Sequence, residues 1–72
     1  MVSVGEIDVK VLKAIAEAGG TVSEENHDLA FRAEDLEASF ERLLSAEYLE
    51  RHETCLKLTD IAEEYLEALG VL

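Results

Sequence analysis

Histidine, cysteine and glutamate are the residue types from which this chain could build a reactive or metal-binding site. His52 and Cys55 lie three positions apart, a spacing compatible with a soft metal ion, and the only other histidine is His27. A closed zinc site takes four such ligands. The glutamate pairs at 24–25 and 63–64 have no nucleophile, glycine-rich phosphate loop or orienting third group nearby. The sequence therefore predicts no enzyme activity, no metal site and no cofactor.

Residues 32–44, RAEDLEASFERLL, combine a charged sequence with the apolar spacing of a helix. Four residues form the expected buried stripe: Leu36, Phe40, Leu43 and Leu44. Four acids and two arginines share the segment with them. Helical geometry places Arg42 about 160° away from Phe40, so we expect this arginine on the exposed face, among carboxylates.

The whole chain is strongly acidic. Its 72 residues include 17 acids and 6 bases, which gives a formal net charge of −11. The acids recur from Glu6 to Glu67 among apolar residues and form no terminal block, a pattern that indicates a folded surface and not a disordered tail. With so few lysines the chain resembles proteins of haloarchaea, whose salty cytoplasm screens charge repulsion. An ordinary acidic mesophilic domain is the alternative.

Length and composition indicate one small globular domain. Nearly half of the chain is apolar, proline is absent, and the single cysteine, Cys55, excludes an internal disulfide. The sequence shows neither a secretory signal pattern nor an 18-residue apolar run. Its amphipathic segments are rich in acids, whereas a membrane-surface helix is typically basic. We therefore expect a cytoplasmic protein with no membrane partner.

Hydrophobic periodicity and turn residues predict four helices and one hairpin, a mostly α fold with a small β hairpin. Asp8 is expected at the cap or in the first turn of the first helix, and Thr21 and Val22 form a short extended step after it. Thr59 and Asp60 are expected to cap the last helix. The predicted elements are helices at about 6–18, 24–31, 34–46 and 60–69 and a hairpin at about 48–58.

The order of these elements and three segments resemble a known family. The segments LKAIAEAGGTVS, DLEASFERLLSAEYLER and LKLTDIAEEYLEALG look like winged helix-turn-helix domains of prokaryotic, especially archaeal, transcriptional regulators. The resemblance covers about residues 6–70. It implies that the second and third helices form the helix-turn-helix, that the third enters the DNA major groove, and that the hairpin is the wing.

The resemblance implies a DNA-binding set on the third helix and the wing. Arg42 is placed to contact guanine, and Ala38 to meet a thymine methyl group. Glu34 or Asp35 is placed to accept a hydrogen bond from cytosine. Phosphate contacts and weaker polar contacts are expected from the rest of the set: Arg32, Ser39, Ser45, Arg51, His52 and Lys57.

The expected partner is double-stranded DNA carrying an inverted-repeat operator, bound by a homodimeric regulator, a repressor in the main interpretation. In the family the last helix often pairs two subunits, and its apolar stripe is the expected dimer interface: Ile61, Tyr65, Leu66, Leu69 and Leu72. Winged helices also serve as protein-contact modules, so an anti-regulator or DNA mimic that does not bind DNA is the alternative function.

The charge of the chain predicts that its fold depends on salt. We expect the helical circular dichroism signal to weaken in low-salt buffer and to recover in molar KCl, because salt screens the repulsion between carboxylates. The salt series uses chloride and not sulfate, because sulfate also strengthens apolar burial and would stabilise the fold by a second route. Equal stability at about 20 mM and about 2 M KCl, where the Debye length differs several-fold, would contradict the halophilic interpretation.

Overall fold

The computed structural model describes residues 4–25 and 29–71. Within these ranges the chain forms three helices and one antiparallel sheet of three strands. The elements in chain order are α1 (Glu6–Glu17), β1 (Thr21–Ser23), α2 (Ala33–Ser45), β2 (Leu49–His52), β3 (Cys55–Leu58) and α3 (Asp60–Ala68). The chain is thus a small α/β domain, with more sheet than the single hairpin expected from the sequence.

The third strand, β3, lies at the centre of the sheet, whose order is β1-β3-β2. Cys55 is opposite Ser23 on one side and opposite His52 on the other. The extended step predicted at residues 21–22 is strand β1. The hairpin of β2 and β3 lies within the range predicted for it, and its turn holds Glu53 at φ 59°, in the left-handed region.

The second helix predicted over residues 24–31 is not what the structure shows. Glu24 and Glu25 form a bend, residues 29–31 are not helical, and residues 26–28 lie outside the described residues. The backbone N–H of Glu24 donates to the carbonyl of Thr54 at 2.8 Å, which continues the sheet ladder where a helix was expected to start. Leu29 and Phe31 still pack against the core, as their apolar character predicts, but they do so without a helix.

The core lies where the helices cover the sheet. Helix α1 packs on α2, α3 and strands β1 and β3, while α2 also packs on β2. Among the described residues, eleven apolar side chains are buried: Val11, Leu12, Ile15, Leu36, Phe40, Leu43, Leu49, Leu56, Leu58, Ala62 and Leu66. No helix within residues 4–25 and 29–71 has the length and apolar character needed to cross a membrane. Every described element therefore contributes to one shared core or to the sheet beneath it.

The start of α3 is tied to the end of α2 by one threonine. The Thr59 hydroxyl accepts from the backbone N–H of Ala62 at 3.2 Å, the helix cap expected from the sequence. The same hydroxyl donates to the carbonyl of Glu47 at 2.7 Å. Glu47 follows α2 with a positive φ of 64°, and the chain then enters β2. This pair of hydrogen bonds fixes the junction of α2, β2 and α3.

Candidate nucleic-acid interface

A buried carboxylate joins α1 to α2. Asp8 lies in the first turn of α1, with 1% of its surface exposed. Its Oδ2 accepts from the backbone N–H of Gly5 at 3.0 Å, which satisfies a donor at the start of the helix. Its Oδ1 accepts from the hydroxyl of Ser39 at 2.6 Å. The Asp8 side chain thus caps its own helix and binds the neighbouring one.

Arg42 completes this cluster as an ion pair. Its Nε lies 2.9 Å from Oδ2 of Asp8, and its Nη2 lies 2.8 Å from Oδ1. These two contacts form the bidentate geometry that makes arginine and carboxylate pairs strong. The pair leaves Nη1 outside it, and 43% of the arginine side chain is exposed. We call Asp8, Ser39 and Arg42 the Asp8 cluster.

The Asp8 cluster keeps its carboxylate ionised. Burial by itself raises the pKa of Asp8, but hydrogen bonds from Arg42, Ser39 and the Gly5 backbone outweigh it and lower that pKa from 3.8 to about 2. The same hydrogen bond to Asp8 raises the pKa of Arg42. At neutral pH both partners therefore carry their charges.

Two expected DNA contacts on α2 need correction. Ser39 has no exposed surface, and its hydroxyl binds Asp8, so it cannot touch DNA while α2 packs on α1. Arg42 is not an unengaged cation on the outer face, because two of its three guanidinium nitrogens bind Asp8. A bidentate contact from Arg42 to guanine would require this ion pair to break.

The outer face of α2 is mainly acidic. Ala38 and Ser45 are exposed there, as is Glu34, while Asp35 is half-buried. Two further exposed acids that were not in the expected set, Glu37 and Glu41, share this face. The exposed side chains of α2 are three glutamates, two alanines, one serine and the part of Arg42 that its ion pair leaves accessible.

The expected phosphate contacts divide into paired and unpaired side chains. Arg51 on β2 binds Glu24 through Nη2 at 2.7 Å and Nε at 3.1 Å. Hydrogen bonding to Glu24, with a smaller effect of Glu41 on α2, raises the pKa of Arg51. His52 lies 3.3 Å from a carboxylate oxygen of Glu50. On β2, Arg51 and His52 are thus each paired with an acid.

Arg32 and Lys57 are both exposed, and neither takes part in the salt bridges found among the described residues. Arg32 is the residue that precedes α2, and Lys57 lies on the central strand, opposite Thr21 and Glu50. Of the expected set, these two cations are the ones best placed to meet a phosphate.

The expected dimer residues do not form one continuous exposed surface. Ile61 and Leu69 are each 49% exposed, and half-buried Tyr65 stacks on Tyr48 with ring centroids 5.1 Å apart. Leu66 is fully buried in the core, so its assignment to a dimer interface is wrong for this packing. Leu72 lies outside the described residues. Ile61, Tyr65 and Leu69 remain available.

Asp8 was not among the expected site residues, although the sequence contains a signal for its role. Asp8 lies three, four and seven positions before three buried residues, Val11, Leu12 and Ile15, and so shares their helix face. Ser39 likewise shares a buried helix face with Leu36, Phe40 and Leu43. An acid within a buried stripe needs donors from another element, because an unpaired buried charge is costly.

Within residues 4–25 and 29–71, no group of three or more His, Cys, Asp or Glu side chains is arranged to hold a metal ion. Comparison with protein-family models, curated proteins and solved structures found no match for this chain.

The low pKa of Asp8 predicts a specific loss of stability in acid. Stability from an ionised Asp8 is present above its unfolded pKa near 4 and is lost as pH falls towards about 2. We expect Asp8→Asn to be less stable than wild type above pH 4, and we expect this gap to shrink by about 2 kcal/mol near pH 2.

Urea unfolding of both proteins at several pH values and one fixed KCl concentration measures the gap. Comparing the two proteins removes the contribution of the other carboxylates, which titrate in both. A gap that stays constant across the acid range would mean that the charge of Asp8 does not stabilise the fold.

Proposed function

We propose that this chain is a winged-helix DNA-binding transcriptional regulator, a repressor that works at high salt. One structural observation carries the proposal: an amphipathic helix, α2, is followed directly by an antiparallel hairpin whose first strand, β2, packs against that helix. A helix beside a hairpin is the pair of elements that a winged helix uses on DNA. The sheet order β1-β3-β2, with β1 placed between α1 and α2, supports the same assignment.

The proposal rests on α2 and the hairpin, without a complete helix-turn-helix. The described residues ahead of α2 are not helical at positions 24–25 and 29–31. The position of α2 is instead set by the Asp8 cluster and by its apolar stripe. The cluster fixes the rotation of α2 about its axis relative to α1.

The roles of the DNA-binding set change with the geometry. Arg32 and Lys57 supply phosphate contacts, and Ala38 and Glu34 lie on the face that meets base edges. Arg42 contributes through Nη1 alone while Asp8 holds the rest of its guanidinium. Such a face has weak general attraction for a polyanion, so binding relies on direct contacts and on cations held between carboxylates and phosphates.

High salt makes this weak attraction tolerable. In dilute salt, phosphate contacts are favoured because binding releases counterions, and that gain decreases as bulk salt rises. A regulator that works in molar KCl gains little from a basic stripe. The net charge of −11 is then compatible with DNA binding in a way that it would not be in dilute buffer.

A homodimer through α3 completes the proposal. Ile61, Tyr65 and Leu69 follow one another along α3 and its C-cap at helical spacing. α3 packs on α1 and β3, so a partner on its outer face would leave the outer face of α2 open. A two-fold dimer would address two half-sites separated by about one turn of DNA, or about 34 Å.

A second candidate function follows from the charge of α2. Because Arg42 is held by Asp8, the exposed acids Glu34, Glu37 and Glu41 dominate its outer face. Regularly spaced carboxylates on a helix can occupy a basic protein surface, as a DNA mimic does. This function is an alternative to the first, since the same face would serve both.

DNA binding can be separated from folding with two variants of one ion pair. Asp8→Asn and Arg42→Gln both break the pair, but only Arg42→Gln removes the guanidinium. If Arg42 contacts DNA, Arg42→Gln should bind more weakly than Asp8→Asn by roughly 1–3 kcal/mol on the selected site. The assay is selection from random-sequence duplexes in molar KCl, including DNA upstream of the protein's own gene, followed by affinity measurement on the recovered site.

Lys57→Gln and Lys13→Gln provide the matched control, since each removes one exposed lysine. Lys57→Gln should weaken binding to all sequences, whereas Lys13→Gln, on α1, should not. An equal loss of DNA affinity in both lysine variants would mean that binding depends on the net charge of the protein and not on the position of Lys57. Failure to recover a DNA sequence, with the fold intact by circular dichroism, would favour the protein-contact function.

The dimer proposal predicts that one substitution halves the mass of the protein assembly in solution. Leu69→Asp should convert the dimer to a monomer, because it places a charge on the exposed apolar end of the proposed interface. Ile7→Asp is the control, since Ile7 is a similarly exposed apolar residue on α1. Light scattering in molar KCl measures both. Wild type that stays monomeric at tens of micromolar would contradict the proposal.

A further inference from the structure

A groove of about 410 Å³ lies where the end of α2, strand β2 and the start of α3 meet. Its apolar lining comes from Leu44, Leu49 and Ile61, and three carboxylates line it as well: Glu47, Glu50 and Asp60. We call it the α2–α3 groove. It shares no residue with the DNA-binding set, although Ser45 and Arg51 of that set are chain neighbours of residues that line it.

The walls of the α2–α3 groove are connected by hydrogen bonds, most of them made by Thr59. Thr59, which also lines the groove, accepts from Ala62 and donates to the carbonyl of Glu47. The backbone N–H of Thr59 donates to the carbonyl of Tyr48 at 3.2 Å. Leu49 is almost fully buried and forms part of the core. The groove is therefore preformed, and a ligand would not have to order its walls.

The charge of the groove indicates what it can bind. The residues that line it include three carboxylates and no lysine, arginine or histidine. Two basic side chains lie near one of these carboxylates: Lys57 is opposite Glu50 in the sheet, and His52 Nε2 is 3.3 Å from a carboxylate oxygen of Glu50. Ile61 adds an apolar side chain that is 49% exposed beside these acids. A ligand that matches both features has an apolar part flanked by positive charge.

We propose that the α2–α3 groove is a docking site for a short basic segment of a partner protein, with one apolar side chain seated against Leu44, Leu49 and Ile61. Lysine or arginine residues on either side of that anchor pair with Glu47, Glu50 and Asp60. In this proposal Ile61 belongs to the groove, and a dimer through α3 would be formed by Tyr65 and Leu69 without it. A basic segment complements the groove better than a second copy of this chain, which brings 17 acids and only 6 bases. Duplex DNA offers no apolar side chain to fill the apolar part of the groove.

The segment needs few contacts to bind. An apolar anchor in a preformed pocket contributes most of the affinity of a small interface, while charged pairs at the rim set specificity and association rate. Binding therefore weakens with salt but persists where the apolar contact remains. A regulator with such a groove could hold a second protein while α2 and the hairpin stay available to DNA.

The probe is a fluorescent, acetylated and amidated decapeptide in which leucine alternates with lysine and arginine. Anisotropy titrations use wild-type protein at the lowest KCl concentration that circular dichroism shows to keep it folded. The comparison peptide has glutamate in place of every lysine and arginine. We expect the basic peptide to bind in the micromolar range and the acidic one not to bind.

Matched variants locate the binding site. Ile61→Ser should weaken peptide binding by about tenfold or more, whereas Leu69→Ser, at an equally exposed leucine, should not change it. Glu50→Gln should weaken binding, whereas Glu64→Gln, which removes an exposed acid outside the groove, should leave it unchanged. These four positions are exposed, so folding is expected to survive and is checked for each variant.

Three results would overturn the proposal. The first is no binding of the basic peptide to folded wild type. The second is equal loss for groove variants and their controls, which would mean attraction to net charge alone. The third is dissociation of a dimer by Ile61→Ser with no effect on peptide binding, which would place a second copy in the groove. None of these three results depends on whether the protein binds DNA, so failure of this proposal can be distinguished from failure of the proposed function.

Discussion

The ion pair between Asp8 and Arg42 is the constraint on which the candidate interface depends. It connects residues 34 positions apart and joins the start of α1 to the middle of α2, with Ser39 as a third member. Because Asp8 is buried, removing Arg42 would leave an uncompensated charge in the core, which costs more than the intact pair gains over an apolar replacement. The pair therefore specifies the placement of α2 more than it adds stability.

The same pair sets the electrostatics of the surface. A free arginine on α2 would offset some of the negative charge of Glu34, Glu37 and Glu41. Because Asp8 already neutralises Arg42, this arginine offsets less of that charge. Arg51 is engaged by Glu24 in a similar way. The chain has six bases, and two of its three arginines are committed to carboxylates within the described residues. Few positive charges remain for any partner, whether nucleic acid or protein.

Much of the fold could be predicted from periodicity. The apolar stripes of residues 6–18, 34–46 and 60–69 correspond to α1, α2 and α3, and the alternating runs at 48–58 correspond to β2 and β3. The helix expected over 24–31 fails because the Glu24 backbone pairs with Thr54, a long-range contact that local pattern does not contain. The pairing of Arg42 was missed for the same reason, since helical geometry gives the direction of a side chain but not what packs against it. The function stays a prediction, as a fold of this kind can serve several functions.

The sheet order leaves β2 with β3 on one side and, among the described residues, no strand on the other. A row of unpaired backbone groups at such an edge can template the addition of another chain, which leads to aggregation. Charged side chains at Glu50 and Arg51 oppose this in dilute solution, but molar salt weakens their repulsion. The length of β2, four residues, remains as a protection that does not depend on the solvent. A short edge strand therefore limits fibril growth by its length, a protection that screening of surface charge cannot remove.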